Sequence, residues 1–402
     1  QDFAEWIVIT SYLLIPILAF SYKFFVTTVI TKWLYDLIIL FLFFPFIASF
    51  IQSDKKNITK TAAPFLTACF LMGLILFLSF FLKVIDTSYL DPFYLYPFLL
   101  ELKLPFYLLL IGLAYKVLPP LQTSYFVISA RIFSIILILD VFTRFLIYGE
   151  LTRPAVVSES NYDGVLILVG VVALFTSERT KKFSRDYILF FIAIGLTLSR
   201  TCMATFIMLS FFHFLRPSHI RVRYLFFLLV SSLAGLFLLS YRLSDIEDFS
   251  TIDRIVMWLS FIDLINTSSW QNLILGYFPG FPLKETDAAL QWFITNQSEE
   301  VGAEGLHAFN YHSFWLRISA TYGLVFTSIV LAYFIKFSFK GRPYFYFSLL
   351  IFLQGLTMGT FYLSVNILIL SMYFLTLLSR KDFQRTKRPS RFNSELDYEF
   401  TR

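Results

Sequence analysis

Charge is scarce in this chain. Only 15% of its 402 residues are Asp, Glu, Lys or Arg, against about 25% in an average soluble domain, which excludes a soluble globular protein. Glycine is scarce too, with 15 residues beside 51 Phe and 23 Tyr. Collagen-like repeats, disordered tails and flexible linkers are poor in bulky apolar side chains, so they are excluded as well. The two cysteines, Cys69 and Cys202, sit inside apolar runs without CxxC spacing. They give no basis for a disulfide framework or a thiolate zinc site. Also missing are the P-loop, GxGxxG, HExxH and GxSxG patterns through which soluble enzymes hold phosphate, dinucleotide, zinc or a nucleophilic serine.

What is abundant is apolar chain. Hydrophobic residues make up 57% of the sequence, and a transmembrane helix needs about 20 mostly apolar residues, so a polytopic membrane protein is implied. The net charge of +6 comes from short basic runs between apolar segments. That arrangement sets membrane topology and does not form a nucleic-acid patch. Asp2 and Glu5 stand where a signal peptide would be basic, so no signal peptide is expected.

Apolar runs predict spans near 6–22, 33–51, 62–82, 94–115, 122–147 and 164–176. Stretches such as Leu74 to Leu82 are apolar on every side, which fits helices and not the alternating strands of a barrel. Asp186 to Arg216 is flanked by Arg179, Lys181, Lys182 and Arg185 on one side and by Arg221 and Arg223 on the other. With basic loops kept inside, this stretch must cross twice, near 187–198 and 201–215, turning at Ser199-Arg200. Spans near 224–240, 314–335, 343–358 and 362–379 bring the count to about twelve. The predicted fold is an all-α polytopic transmembrane bundle with both termini cytoplasmic. Residues 1–240 carry the first nine spans, 241–311 one long, partly helical outer loop, 312–380 the last three spans and 381–402 a basic tail.

The outer loop holds ten carboxylates but only Arg242, Arg254 and Lys284 as strong bases, so each base is conspicuous. Ile252, Ile255, Val256 and Leu259 predict a helix over 251–265 with one apolar face, and 276–282 predict a turn. His307 and His312 lie five apart, a spacing that points helical side chains away from each other, so no paired metal site is expected. His213 and His219 fall at a membrane edge. Glu101, Lys103, Arg131, Asp140 and Arg144 fall inside spans and are expected to pair with one another within the bundle. Asp140 and Arg144, at i and i+4, can pair on one helix. Arg317 also falls inside a span, at an insertion cost of about 2.5–3.5 kcal/mol, so it must face a cavity or its span must start later.

Along the second half lie, in order, Arg254-x-x-x-Trp258, Gly276-Tyr277-Phe278-Pro279-Gly280, His312-Ser313-Phe314-Trp315-Leu316 and Tyr322-Gly323, with Ser199-Arg200-Thr201 upstream. This ordered set resembles the O-antigen polymerase and ligase superfamily, bacterial inner-membrane enzymes that move glycans from undecaprenyl pyrophosphate at the periplasmic face. The similarity covers topology over the whole chain and motifs over its second half. Arg153-Pro154 followed by Glu159, Asn161 and Tyr162 looks like a stretch of the polymerase branch and favours polymerase over ligase. The resemblance implies a GT-C-like, metal-independent glycosyltransferase without cofactor. In it Arg200 and Arg254 would hold pyrophosphate, His312 would act as general base, and Arg153, Glu159, Asn161, Tyr277 and Arg317 would contact substrate. Implied partners are undecaprenyl-pyrophosphate-linked glycans, membrane lipid and a chain-length co-polymerase, with no nucleic acid. Ser313 stands where the family often has Asn, which leaves the hydrogen-bonding partner of the histidine open.

The chemistry agrees with the resemblance. A lipid pyrophosphate carries two or more negative charges, which forked guanidinium groups match, and imidazole titrates near the working pH. Two other classes fit less well. A transporter or flippase places its sites at the bilayer midplane between symmetric halves, whereas here the polar residues gather at the predicted outer face. A metal-dependent transferase acting on similar lipids usually carries a carboxylate pair in its first outer loop, and none occurs between Tyr22 and Lys32.

Overall fold

The computed structural model describes residues 63–86, 93–117, 121–149, 153–157, 160–177, 183–214, 253–285, 287, 290–291, 294–295, 302–359 and 362–386. Among the described residues the regular structure is helical, with a single isolated bridge between Lys284 and Leu306. The helices are α1 (Ala63–Asp86), α2 (Leu95–Val117), α3 (Thr123–Tyr148), α4 (Ser160–Thr176), α5 (Phe183–Leu196), α6 (Arg200–Phe214), α7 (Asp253–Thr267), α8 (Trp270–Leu275), α9 (Phe314–Ser338), α10 (Arg342–Thr357) and α11 (Ser364–Thr386). Three stretches, Leu66–Ile85, Thr123–Tyr148 and Phe314–Ser338, are long and apolar enough to cross a membrane, and Ser160–Thr176 and Val365–Leu378 are shorter apolar helices. The spans expected near 6–22, 33–51 and 224–240 lie outside the described residues.

Helix α4 is the centre of the bundle, buried from Asp163 to Phe175, with α3, α5, α6, α10 and α11 packed around it. Small residues allow this close approach. A Cβ on Gly170 would lie 2.1 Å from the Ala130 Cβ, and one on Gly164 would lie 2.6 Å from the Cys202 sulfur, the kind of small-residue contact that draws apolar helices together without help from water. Outer helices turn their largest apolar side chains away from the bundle: Phe70, Phe77 and Phe81 on α1, and Ile128, Ile135 and Phe142 on α3. Such contiguous exposed apolar faces suit a lipid environment.

Charges inside the bundle are paired, though not all as expected. Asp140 and Arg144 do pair along α3, at 3.0 Å. Arg131 reaches Asp186 at the start of α5. Glu101, expected to pair near Lys103, instead binds Arg317, 216 residues away, at 2.7 Å. A single sequence gives no sign of so distant a partner.

The sequence also implies one continuous span over 314–335. Helix α9 instead breaks at Gly323, whose φ of 80° and ψ of 165° lie outside the helical range. A Cβ there would lie 2.0 Å from the Ile274 carbonyl oxygen, so only glycine suits both the conformation and the space. Before the break, Phe314 to Tyr322 are buried on all sides; beyond it, Val325, Ile329 and Ile335 face outward.

The described parts of 253–311 fold into their own apolar cluster. Met257, Phe261, Leu264, Leu290, Leu306 and Tyr311 pack with Leu316 and Ala320 of α9. The buried face of α7 is not the one expected, because Ile255 and Leu259 are exposed. This helix is apolar on two sides, and a buried hydrogen bond contributes to the choice between them. Ser260 donates to Asp287 Oδ2 at 2.7 Å and lies 3.3 Å from the Tyr311 hydroxyl, which turns the Met257 and Phe261 side inward.

Candidate functional site at the end of α10

The last four carbonyls of a helix have no partner within it, and at α10 motif residues reach two of them, Gly355 and Leu356, together with the nearby carbonyls of Phe352 and Met358. Ser313 donates to the Gly355 carbonyl at 2.8 Å, and its oxygen also caps α9 by accepting from the Leu316 N–H. The Phe314 N–H donates to the Met358 carbonyl, the Trp315 indole to Phe352 and the Trp258 indole to Leu356. Ser313 is thus a helix cap and a link to α10, the role that its place beside His312 left open. Gly355 is required because a Cβ there would lie 2.6 Å from the Trp315 indole nitrogen.

The opposite side of α10 docks the start of α6. Thr357 donates to Thr201 at 2.9 Å, and the Gln354 amide donates to Thr205 at 2.7 Å. Cys202 donates to the Asn161 carbonyl at 3.2 Å, which joins the first turn of α4 to the same place. The chain reverses between α5 and α6 at Thr197 to Ser199, with Leu198 at a φ of 52° and Ser199 accepting from the Cys202 N–H. This break coincides with the turn expected at Ser199-Arg200. Arg200 is the first residue of α6 and is exposed. Arg254, in the first turn of α7 and one turn before Trp258, is half-buried, its Nη1 3.9 Å from the Met257 sulfur.

His312 precedes α9 by two residues, and its carbonyl lies 3.6 Å from where a Gly359 Cβ would stand, with the Tyr162 hydroxyl 4.0 Å from the same point. Burial, then the positive charges of Arg254 and Arg317, push its pKa down to about 4. The imidazole is therefore neutral at neutral pH, the form that can accept a proton.

The remaining candidates take differing places. Tyr277 donates its backbone N–H to the Ala320 carbonyl at 2.7 Å, and its hydroxyl pairs with Ser268. Its neighbour Gly276, at a φ of 74°, rests on the Thr321 carbonyl where a Cβ would lie 2.4 Å away. Arg153 is exposed, on a segment held from below by buried carboxylates: Asp163 accepts from the Val156 N–H at 2.7 Å and Asp140 from the Ala155 N–H at 3.3 Å. Glu159 lies outside the described residues. Arg317 is buried, its Nε donating to Glu101 and its guanidinium 3.4 Å from the centre of the Tyr362 ring.

His307, to which the sequence assigns no part, is held inside the fold. It is buried, stacked on Phe309 and edge-on to Tyr94, with Nε2 3.0 Å from the Glu304 carbonyl and its backbone N–H donating to Asn310. Burial lowers its pKa. Gln354, Asp163 and Tyr362 have no counterpart among the sequence candidates. Buried polar residues inside apolar runs were the available signal, but nothing local says what they touch.

The chain matches no known protein family, no curated protein and no solved structure. In the arrangement itself the charges of two guanidinium groups act on a neutral imidazole, and a third arginine heads a helix docked on the same helix end.

Proposed function

We propose that this protein is a bacterial inner-membrane glycosyltransferase that polymerises undecaprenyl-pyrophosphate-linked oligosaccharide repeats at the periplasmic face, making O-antigen or a related surface polysaccharide. The observation that carries the proposal is the convergence of separated sequence motifs, those around Arg200, Trp258 and His312, on the C-terminal end of α10. Lys336, Lys340 and Arg342, at or before the opposite end of α10, support an outer location for this end, and the full complement of about twelve crossings with cytoplasmic termini belongs to the same proposal.

In this scheme Arg200 and Arg254 hold the pyrophosphate of the donor, and Arg153, Glu159, Asn161 and Tyr277 line the path of the saccharide. His312 takes the proton of the attacking sugar hydroxyl. That oxygen bonds to the anomeric carbon of the donor as the bond from that carbon to the pyrophosphate breaks, and undecaprenyl pyrophosphate leaves with the bonding electrons. Guanidinium groups stabilise the charge that develops on the leaving oxygen. Neither metal nor cofactor is assigned a part.

The test is reconstitution of the purified protein in vesicles with a lipid-linked repeat unit. A ladder of longer lipid-linked products supports a polymerase. Transfer of finished polymer to lipid A-core would make it a ligase instead, and absence of both products would refute the proposal.

A further inference from the structure

Among the described residues two arginine–carboxylate pairs join different helices, and they are built differently. Arg131 meets Asp186 with two parallel bonds, Nε to Oδ1 at 2.7 Å and Nη2 to Oδ2 at 2.8 Å, the fork-to-fork geometry that best satisfies both groups. Arg317 meets Glu101 with one bond, Nε to Oε1 at 2.7 Å. Arg317 Nη2 is buried and has no hydrogen-bond partner among the described residues, whereas the Tyr362 and Thr321 hydroxyls also act on the Glu101 carboxylate. Both residues are more than nine-tenths buried, at 8% and 1% exposure. A buried charged group with an unused donor is costly and calls for an explanation.

Neighbouring side chains fix this geometry. The face of the Arg317 guanidinium lies against the Tyr362 ring, and the Tyr322 hydroxyl donates to the Glu101 backbone carbonyl at 3.2 Å. Together they restrict rotation of the guanidinium plane. Arg317 follows His312 by five residues, and its charge and that of Arg254 both act on the imidazole. Among the described residues no carboxylate pairs with Arg254, so Glu101 balances one positive charge of the two.

We infer that Glu101 is a positioning residue, which holds Arg317 through Nε alone so that Nη2 stays available near His312 for a phosphate oxygen of the donor. The inference rests on the proposed pyrophosphate site and deepens it. Arg317 becomes a third guanidinium of that site, held from a helix, α2, that contributes none of the motif residues. The purely structural alternative is a tie between α2 and α9, with internal water on the unused donor.

Full-length protein in lipid nanodiscs decides between the two, with undecaprenyl pyrophosphate as the probe and thermal unfolding measured alongside. Glu101→Gln keeps the size of the side chain but removes its charge. It is expected to fold and to bind the probe about tenfold more weakly, the loss expected for a misplaced charge-assisted bond. The exchange variant Glu101→Arg/Arg317→Glu rebuilds the pair with the cation on α2. It is expected to unfold near the parental temperature without regaining binding, whereas a structural tie would regain both. Parental binding by the exchange variant, or by folded Glu101→Gln, overturns the inference while leaving the pyrophosphate site intact. Failure of the parent itself to bind the probe, or unchanged binding in Arg200→Ala and Arg254→Ala, refutes the site and the inference with it.

Discussion

Among the described residues, the two arginine–carboxylate pairs that join helices put the same chemistry in two different settings. Arg131–Asp186, three residues into α5 and so at the end of that helix remote from Arg200, is partly wet, with side-chain exposures of 30% and 7%. It makes two parallel bonds. Arg317–Glu101, at the end near His312, is drier, at 10% and 1%, yet its bonding is incomplete. If stability alone shaped both, the drier pair would be the better satisfied, since desolvation weighs most there. The proposed role of Arg317 in the site near His312 would account for this reversal.

The strongest way to break this contrast is at His312. His312→Ala is expected to lower turnover by roughly 10²–10⁴-fold, the usual contribution of a general base, while probe binding survives. Near-parental turnover in the vesicle assay would remove the histidine from the mechanism. Its protonation gives a second check. With its pKa held at about 4 instead of the ordinary 6.5, the base stays neutral down to mildly acid pH. The acid limb of the pH–rate profile is therefore expected near 4, and a fall in rate between pH 7 and 6 would contradict it. The stability sign agrees. Unfolding restores the ordinary pKa, so this group favours unfolding only as pH falls from 6.5 toward 4.

Next in size come the exposed and half-buried arginines. Arg200→Ala or Arg254→Ala is expected to cost at least about tenfold in turnover, as loss of one charge-assisted bond would. Lysine should restore only part, because ammonium cannot fork. Turnover equal to the parent's in well-folded alanine variants would show both to be structural. His307 lies on the other side of the contrast: its ring is buried among Tyr94 and Phe309, so His307→Ala is expected to cost about 1–3 kcal/mol of stability. Thermal unfolding that matches the parent's would show that its buried contacts contribute nothing to stability.

How much of this was legible beforehand depended on how local each feature is. Helices α1 to α6 and α9 to α11 follow from apolar runs, and the reversal at Ser199 follows from basic residues on both sides of a run too long for one crossing. Arg200, Arg254 and His312 stood out as bases in apolar or acidic surroundings. Three things were hidden because they depend on distant chain. The buried side of α7 was settled in part by Asp287. The partner of Arg317 was Glu101, on another helix. The hub on which the motifs meet is a set of α10 backbone carbonyls, which leave no mark in the sequence except glycine at position 355 and the side chains that reach them.

The smallest expected effect sharpens the contrast from the other end. Asp186→Asn keeps a hydrogen-bond acceptor for Arg131 but removes the charge, and Arg131 is exposed enough for water to solvate its guanidinium in part. The cost is therefore expected near the upper end of a surface pair, about 1 kcal/mol, read as a modest drop in unfolding temperature. Turnover should not change, because Asp186 lies near the end of α5 remote from Arg200, and its two bonds go to the Arg131 guanidinium. A stability loss with unaltered turnover separates this pair from Glu101–Arg317. If Asp186→Asn instead lowered turnover as much as the arginine variants do, the two ends of the bundle would have to be coupled, and bonding geometry would no longer tell a structural pair from a functional one.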